Sequence, residues 1–219
     1  MAAITIVLGN KNYSSWSLRP WLALRQTGVE FEEVVIPLYR DGSKEKILIW
    51  SPAGKVPVLR HGDVTVWESL AICEYLADAF PAAKLWPADR AARAVARSIA
   101  TEMHGGFQAL RQNLPMDMSR QFPGAERIEA AKADIDRVAT IWRDCRNRFG
   151  EAGANGKGPF LFGGFTVADA MYAPVVTRFR SYGVALDPVC QAYADAVMAL
   201  PAMRDWATAA AAEPWIIEY

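Results

Sequence analysis

Hydrophobic positions change their period part-way along this chain. Ala3 to Leu8 is a short β-branched apolar run that reads as a buried strand. Leu18, Trp21, Leu22 and Arg25 then follow helical spacing, and Gly28 supplies a stop signal. Glu32 to Pro37 reads as a second strand, and the polar stretch Arg40 to Lys46 leads into a short helix ending before Ser51-Pro52. Val58 to Arg60 and Val64 to Val66 flank His61-Gly62-Asp63, a hairpin turn. Glu68 to Phe80 returns to the helical period through Leu70, Ile72, Cys73, Tyr75 and Leu76. One parallel crossover followed by an antiparallel pair predicts a small mixed sheet with helices on its faces.

Pro81 to Asp89 has no periodicity and reads as a linker. Beyond it the strand patterns vanish. Asp89 to Asn113 is predicted as one long Ala/Arg-rich helix. Ala125 to Phe149 is a second, with Ile128, Ile135, Val138 and Trp142 near one face. Asn155-Gly156-Lys157-Gly158-Pro159 breaks the pattern, Thr166 opens another helix, and Tyr193 to Leu200 and Ala202 to Ala211 are shorter helices. An α/β half thus precedes an all-α half.

Composition narrows the function classes. The 219 residues suit two small domains, and 52% apolar with 22% charged residues lets either half bury a core. Lys+Arg and Asp+Glu balance at 24 each, so no net field recommends nucleic acid or an acidic membrane as a partner. Cys73, Cys145 and Cys190 are an odd, widely spaced set without zinc-ligand spacing, as expected of free thiols in a reducing compartment and of a site without metal. The first residues show no basic region followed by a long apolar one, and no apolar run reaches 18 residues, so neither a signal peptide nor a membrane span is expected.

Four short segments carry candidate chemistry. The first is Asn12-Tyr13-Ser14-Ser15-Trp16-Ser17-Leu18-Arg19-Pro20, between the first strand and the first helix. Proline is tolerated in a helix's first turn and costs about 3 kcal/mol deeper. With Ser17 as N-cap, Pro20 falls at the third helical position, and Ser14 and Ser15 lie in the loop ahead. That is the positive end of the helix dipole, where hydroxyls suit an anion such as a thiolate. Serines before a helix also cap it, and the two roles are compatible. The second segment is Ser51-Pro52-Ala53-Gly54-Lys55-Val56-Pro57, a turn entering a strand. Pro57 cannot donate to a ladder there, and a cis Val56–Pro57 bond would turn the Val56 backbone outward; a plain turn is the commoner outcome. In Trp67-Glu68-Ser69-Leu70-Ala71-Ile72, Ser69 opens a helix where a carboxylate can be held and Glu68 can accept from an ammonium, although an ordinary N-cap explains the pair too. Phe165-Thr166-Val167-Ala168-Asp169 reads as a structural capping box, with Phe165 stapling to Ala170.

The order and separation of these segments resemble the cytosolic glutathione transferases over essentially the whole chain. Ser14-Ser15-Trp16-Ser17-Leu18-Arg19 is similar to the zeta-class serine motif S-S-C-S-x-R. Ser51-Pro52 through Val56-Pro57 is similar to N-P-x-x-x-V-P with its cis proline, Glu68-Ser69-Leu70-Ala71-Ile72 to [QE]-S-x-A-I, and Thr166-x-x-Asp169 to the C-terminal capping box. The stretch N-Y-S-S-W-S-L-R-P-W resembles that of a group of bacterial members. The resemblance implies a thioredoxin-like domain over residues 1–81, a linker over 82–89 and an all-α domain over 90–219.

It also implies roles. Ser14 donates to the glutathione sulfur, with Ser15 supporting or replacing it. Val56, beside Pro57, pairs its backbone with the cysteinyl moiety. Glu68 and Ser69 bind the γ-glutamyl end, and Lys55, or less directly Lys44, meets the glycyl carboxylate. A second-substrate pocket lies between the domains. Met103, His104, Phe107 and Arg111 are on the helix expected to line it, His104 and Arg111 sharing a face, and Tyr13 and Trp16 join them, with Tyr13 a rival ranked below Ser14 for the sulfur contact. The implied activity is thiolate attack on small apolar electrophiles by a cytoplasmic homodimer. The alternatives are a glutathione-dependent cis–trans isomerase or peroxidase, or a non-catalytic binding protein. Trp16 replaces the zeta-class cysteine and so puts the isomerase activity in doubt, while Ser51 in place of asparagine changes only a turn.

Overall fold

The structure is a computed structural model and describes residues 3–122 and 125–217. Its first part runs β1 (Ile4–Leu8), α1 (Ser15–Thr27), β2 (Glu32–Val35), α2 (Ser43–Leu48), β3 (Val58–His61), β4 (Val64–Trp67) and α3 (Ser69–Ala79). The strands lie in the order β2-β1-β3-β4. β1 is parallel to β2 and antiparallel to β3, and β3 is antiparallel to β4. This is the mixed sheet the hydrophobic pattern predicts. β1 is apolar almost throughout because both of its faces are covered. Ile4, Ile6 and Leu8 join the core beneath α1 and α3, while Val7 joins Ile47 of α2 and Val58 on the other face.

After a short 3-10 turn at Pro81–Ala83, the remainder is helical: α4 (Arg90–Gly105), α5 (Gln108–Asn113), α6 (Ala125–Ala130), α7 (Lys132–Cys145), α8 (Val167–Tyr182), α9 (Pro188–Ala199) and α10 (Pro201–Ala211). Asp89 caps α4, its carboxylate accepting from Ala92 N–H at 2.7 Å.

Two of the predicted long helices are broken. The stretch Asp89 to Asn113 divides at Gly106-Phe107, where Phe107 adopts φ 62°. The Arg111 guanidinium donates to the Gly106 carbonyl at 3.0 Å and to the Met103 carbonyl, so a side chain satisfies carbonyls that a continuous helix would have paired. The stretch Ala125 to Phe149 is interrupted at Ala131, between α6 and α7, and ends in a π turn over Arg146–Gly150 closed by Glu151 N–H donating to the Arg146 carbonyl.

α8 is the axis of the helical part. Every one of its residues except Arg180 is buried, and it packs against α1 and α4. Trp142 of α7 meets Tyr172, Phe179 and Tyr193, with ring centroids 6.1, 5.5 and 4.8 Å away. A fully buried aromatic side chain of this kind stabilises by about 2–3 kcal/mol. Thr166 and Asp169 form the capping box the sequence announces. The Asp169 carboxylate accepts from Thr166 N–H (2.7 Å), Thr166 Oγ1–H (2.9 Å) and Leu161 N–H (3.1 Å). Burial pushes the Asp169 carboxyl up to about 6. Phe165 sets its ring edge-on to Phe160. One core therefore runs from the sheet through α1 into α8, which fixes the start of α1 against the C-terminal helices.

Candidate active site

Three serines crowd the start of α1. Ser14, not Ser17, is the N-cap: its Oγ accepts from Ser17 N–H at 3.3 Å. Pro20 consequently sits inside the helix with no N–H for the Trp16 carbonyl, and the burial of nine α1 residues outweighs that one missing ladder bond. Ser17 Oγ accepts from Gly9 N–H at 3.0 Å and from the Ser14 hydroxyl at 2.8 Å. Ser15 Oγ accepts from Arg178 Nη2 at 3.2 Å, a contact reaching from α8. Ser14 and Ser15 are only 6% and 5% exposed, and no acid occupies the first turn. The positive tip of the helix is thus met by hydroxyl groups alone.

Beside this tip opens a cleft of about 350 Å³. Lys55, Val56 and Pro57 line one side, Trp67, Glu68 and Ser69 another, and Trp16 a third. The Val56–Pro57 peptide is cis. No hydrogen bond among the described residues engages the Val56 N–H or carbonyl. Ser69 begins α3, and its Oγ is buried without a partner. Glu68 holds φ 68°, a region costing about 1–3 kcal/mol for a residue other than glycine, and its carboxylate lies 4.0 Å from His104 Nε2. Unengaged backbone groups, an orphaned hydroxyl, a carboxylate and an ammonium fit the parts of a small zwitterionic peptide.

Cations border the Trp16 wall. The Arg19 guanidinium lies 4.4 Å from the Trp16 ring centroid and that of Arg111 lies 4.8 Å from it, while His104 meets the ring edge-on at 5.3 Å. Arg19 is fully buried, and none of its three guanidinium nitrogens has a hydrogen-bond partner. Burial, then the charges of Arg111 and Arg178, hold the Arg19 pKa well below its usual range. Burial, then Arg19, lowers that of His104. An unpaired charge in such surroundings is costly unless an anion joins it.

Residues 13–79 match the family model for the glutathione S-transferase N-terminal domain, and residues 124–209 that for its C-terminal domain. Over 181 residues the chain is 36% identical to the maleylacetoacetate isomerase of Rattus norvegicus, covering 80% of this chain and 77% of that one. The chain belongs to the glutathione S-transferase family. Solved structures with the same fold as this glutathione S-transferase include a bacterial maleyl pyruvate isomerase of the zeta class, at 24% identity, covering 96% of this chain and 98% of that one with a TM-score of 0.71. A glutathione transferase homologue from Burkholderia with bound glutathione superposes at 23% identity, covering 95% and 97%, with a TM-score of 0.69.

In this glutathione S-transferase the sequence-derived residues divide into groups. Lys55, Val56, Pro57, Glu68, Ser69 and Trp16 converge on the cleft. Ser14 and Ser15 are buried at the helix tip and are not among the residues lining the cleft, and Tyr13 is half-buried in the preceding turn, its N–H donating to the Asn10 carbonyl at 3.2 Å. Lys44 is exposed on α2 and is not among the residues that line the cleft. Met103 and His104 end α4, but Phe107 and Arg111 lie beyond the break, so His104 and Arg111 do not share the face of one helix. They still meet, through Trp16. Arg178 was not singled out from the sequence, and Arg19 only as part of a motif. The signal was present at Arg178, a charged residue set between the apolar run Ala173 to Val176 and Phe179. Among the described residues no cluster of three or more His, Cys, Asp or Glu could hold a metal ion. Nor is any described helix long and apolar enough to cross a membrane.

Proposed function

We propose that this protein activates glutathione as a thiolate for addition to a small electrophile bearing a carboxylate. The observation that carries the proposal is the fully buried Arg19 guanidinium, lacking hydrogen-bond partners and flanked by Arg111 and Arg178 behind the serine-bearing tip of α1. A purely apolar electrophile leaves that charge unanswered; a carboxylate or a developing enolate answers it. The similarity to a maleylacetoacetate isomerase favours a maleyl-type dicarboxylate and cis–trans isomerisation over conjugation of an apolar compound.

Glutathione supplies the thiol that adds to the substrate, staying attached in conjugation and leaving again in isomerisation. The protein's part is to bind, orient and stabilise charge. Val56 offers its backbone N–H and carbonyl, Ser69 its orphaned hydroxyl, Glu68 an acceptor for an ammonium and Lys55 a partner for a carboxylate. Ser14 turns its hydroxyl from Ser17 to the sulfur, which it can do because Gly9 N–H still holds Ser17 Oγ. Ser15 ties Arg178 to the same tip. A hydrogen bond to a charged acceptor is worth about 1.5–3 kcal/mol and the helix dipole about 0.3–2 kcal/mol, together enough to lower a thiol near pKa 8.5 by roughly two units. We read the enzyme as a cytoplasmic homodimer, and sedimentation as a monomer at micromolar concentration removes the dimer from this reading.

The test has two steps. Calorimetric titration with glutathione should give binding; no binding ends the proposal. Turnover of a maleyl-type dicarboxylate should then exceed that of an activated aryl halide. The reverse order sinks the carboxylate assignment.

A further inference from the structure

The loop from Gly9 to Ser14 joins the sheet to α1, yet several of its backbone groups are held from the far end of the chain. Lys11 N–H donates to Glu213 Oε1 at 2.7 Å and Asn12 N–H to Glu213 Oε2 at 3.2 Å. One carboxylate therefore holds two successive amides, and the next two amides, of Tyr13 and Ser14, turn inward to the Asn10 carbonyl. Trp206 of α10 donates its indole N–H to the Lys11 carbonyl at 2.8 Å. Asn12 is buried, and both ends of its side-chain amide are hydrogen-bonded. Nδ2 donates to Asp117 Oδ1 (3.2 Å) and Ser119 Oγ (3.0 Å), and Oδ1 accepts from Met118 N–H (2.8 Å).

Glu213 follows α10 and begins the irregular segment 213–217. Further along that segment the Ile216 carbonyl accepts from Arg40 and the Ile217 carbonyl from Arg120, both at 3.2 Å. The segment is a strap, held to the N-terminal domain by Arg40 and to the C-terminal domain by Arg120, with Glu213 gripping the loop that ends in Ser14.

We infer that this C-terminal strap sets the position of Ser14, with Glu213 as a positioning residue for thiolate formation. The inference rests on the proposed function, in which Ser14 donates to the sulfur. Without Glu213 the amides of Lys11 and Asn12 lose their acceptor, and the turn two residues before Ser14 is held more loosely, by the Trp206, Asn12 and Asn10 side-chain contacts that remain. A displacement of about 1 Å in a reacting group is enough to cost about a hundredfold in rate. The glutathione cradle at Val56 and Ser69 is built on other elements, so ionisation and rate should suffer more than affinity.

The experiment compares the full-length protein with Glu213→Ala and the near-isosteric Glu213→Gln. Four quantities are read: glutathione affinity by calorimetry, the pH titration of bound glutathione by ultraviolet thiolate absorbance, kcat, and amide exchange of residues 10–15. Glu213→Ala should leave glutathione affinity within about threefold, move the thiolate titration up toward the free-thiol value of about 8.5, and lower kcat by about tenfold or more. Loop exchange should quicken in the same variant, and Glu213→Gln, which keeps one acceptor oxygen, should fall between. An unchanged thiolate titration and kcat in folded Glu213→Ala overturns the inference. So does a loss of activity that only follows loss of folded protein, and if the alanine variant does not fold, the glutamine variant decides. If the parent protein binds glutathione without ionising it, the proposed function fails. Amide exchange then still reports whether Glu213 holds the loop.

Discussion

α1 and α8 begin in buried surroundings and pack against each other, but their tips are finished in opposite ways. α8 answers its own positive end. Asp169 enters from its first turn and accepts three hydrogen bonds, and with Thr166 it closes the capping box. α1 has no acid in its first turn, only hydroxyls, and the charges gathered near it are those of Arg19 and Arg178. The same physics applies at both tips: an N-terminus favours negative charge, and buried donors need acceptors. A helix that supplies the anion itself is architecture. One whose tip carries hydroxyls beside cations and no acid of its own is open to an anion that arrives from outside.

The contrast breaks most visibly at Asp169. Asp169→Ala leaves the amides of Thr166 and Leu161 and the Thr166 hydroxyl without their acceptor, at about 1–3 kcal/mol for each unsatisfied group. The expected loss is about 3–5 kcal/mol, or roughly 10 °C in melting temperature, while activity per folded molecule is retained. Calorimetric melting and low-temperature turnover check both halves, and a loss of turnover without a loss of stability would show that α8's tip is not purely structural. Arg19→Met should do the opposite. Removing a buried, unpaired charge leaves stability unchanged or raises it by about 1–2 kcal/mol. Meanwhile kcat/KM toward a carboxylate-bearing electrophile should fall about a hundredfold, about 2.7 kcal/mol, and toward an activated aryl halide far less. Equal losses on both substrates would take Arg19 out of carboxylate recognition.

The two tips were also unequally legible in the sequence. Thr166 and Asp169 complete each other within four residues, so a local pattern sufficed, and the structure contains that capping box. At α1 the local rule about Pro20 placed the cap at Ser17, three residues late, because the packing of Leu18, Trp21 and Leu22 that offsets the proline is tertiary. The mixed sheet was readable because each strand keeps its own apolar pattern. The break after α4 was written as Gly105-Gly106, but the apolar period runs on through it, and what settles the break is Arg111 folding back onto the Met103 and Gly106 carbonyls. The cleft residues around Val56 and Ser69 were found by motif. Arg178 and Glu213 act across 163 and 202 residues of chain, distances at which spacing says nothing.

Smaller effects separate the serines of α1. Ser14→Ala should lower kcat at least tenfold, the equivalent of about 1.4 kcal/mol, and cost about 1 kcal/mol of stability as the cap is lost. Ser15→Ala, which removes one Arg178 hydrogen bond without touching the cap, should cost only a fewfold in kcat, roughly 0.5–1 kcal/mol, and little stability. Steady-state kinetics with melting curves test the pair. If Ser15→Ala is the more damaging to turnover, the sulfur donor is Ser15 and Ser14 only caps.

The smallest expected effect reports on the field itself. The chain has 2 histidines, so the His104 ring signals can be assigned by replacing His61. Burial first, and the charge of Arg19 second, lower the His104 pKa below its ordinary 6.5, against the opposing pull of Glu68. In an NMR titration His104 should therefore stay neutral to lower pH than an unfolded histidine. The sign for stability follows: as pH falls through 6.5 the unfolded chain takes up the proton first, so His104 subtracts from stability on the acid side, down to its folded value. Arg19→Met removes the second cause but not the first, so the midpoint should rise without regaining 6.5. A midpoint indifferent to Arg19 would mean that the guanidinium's charge is screened from the cleft. The tip of α1 would then be as closed, electrostatically, as that of α8.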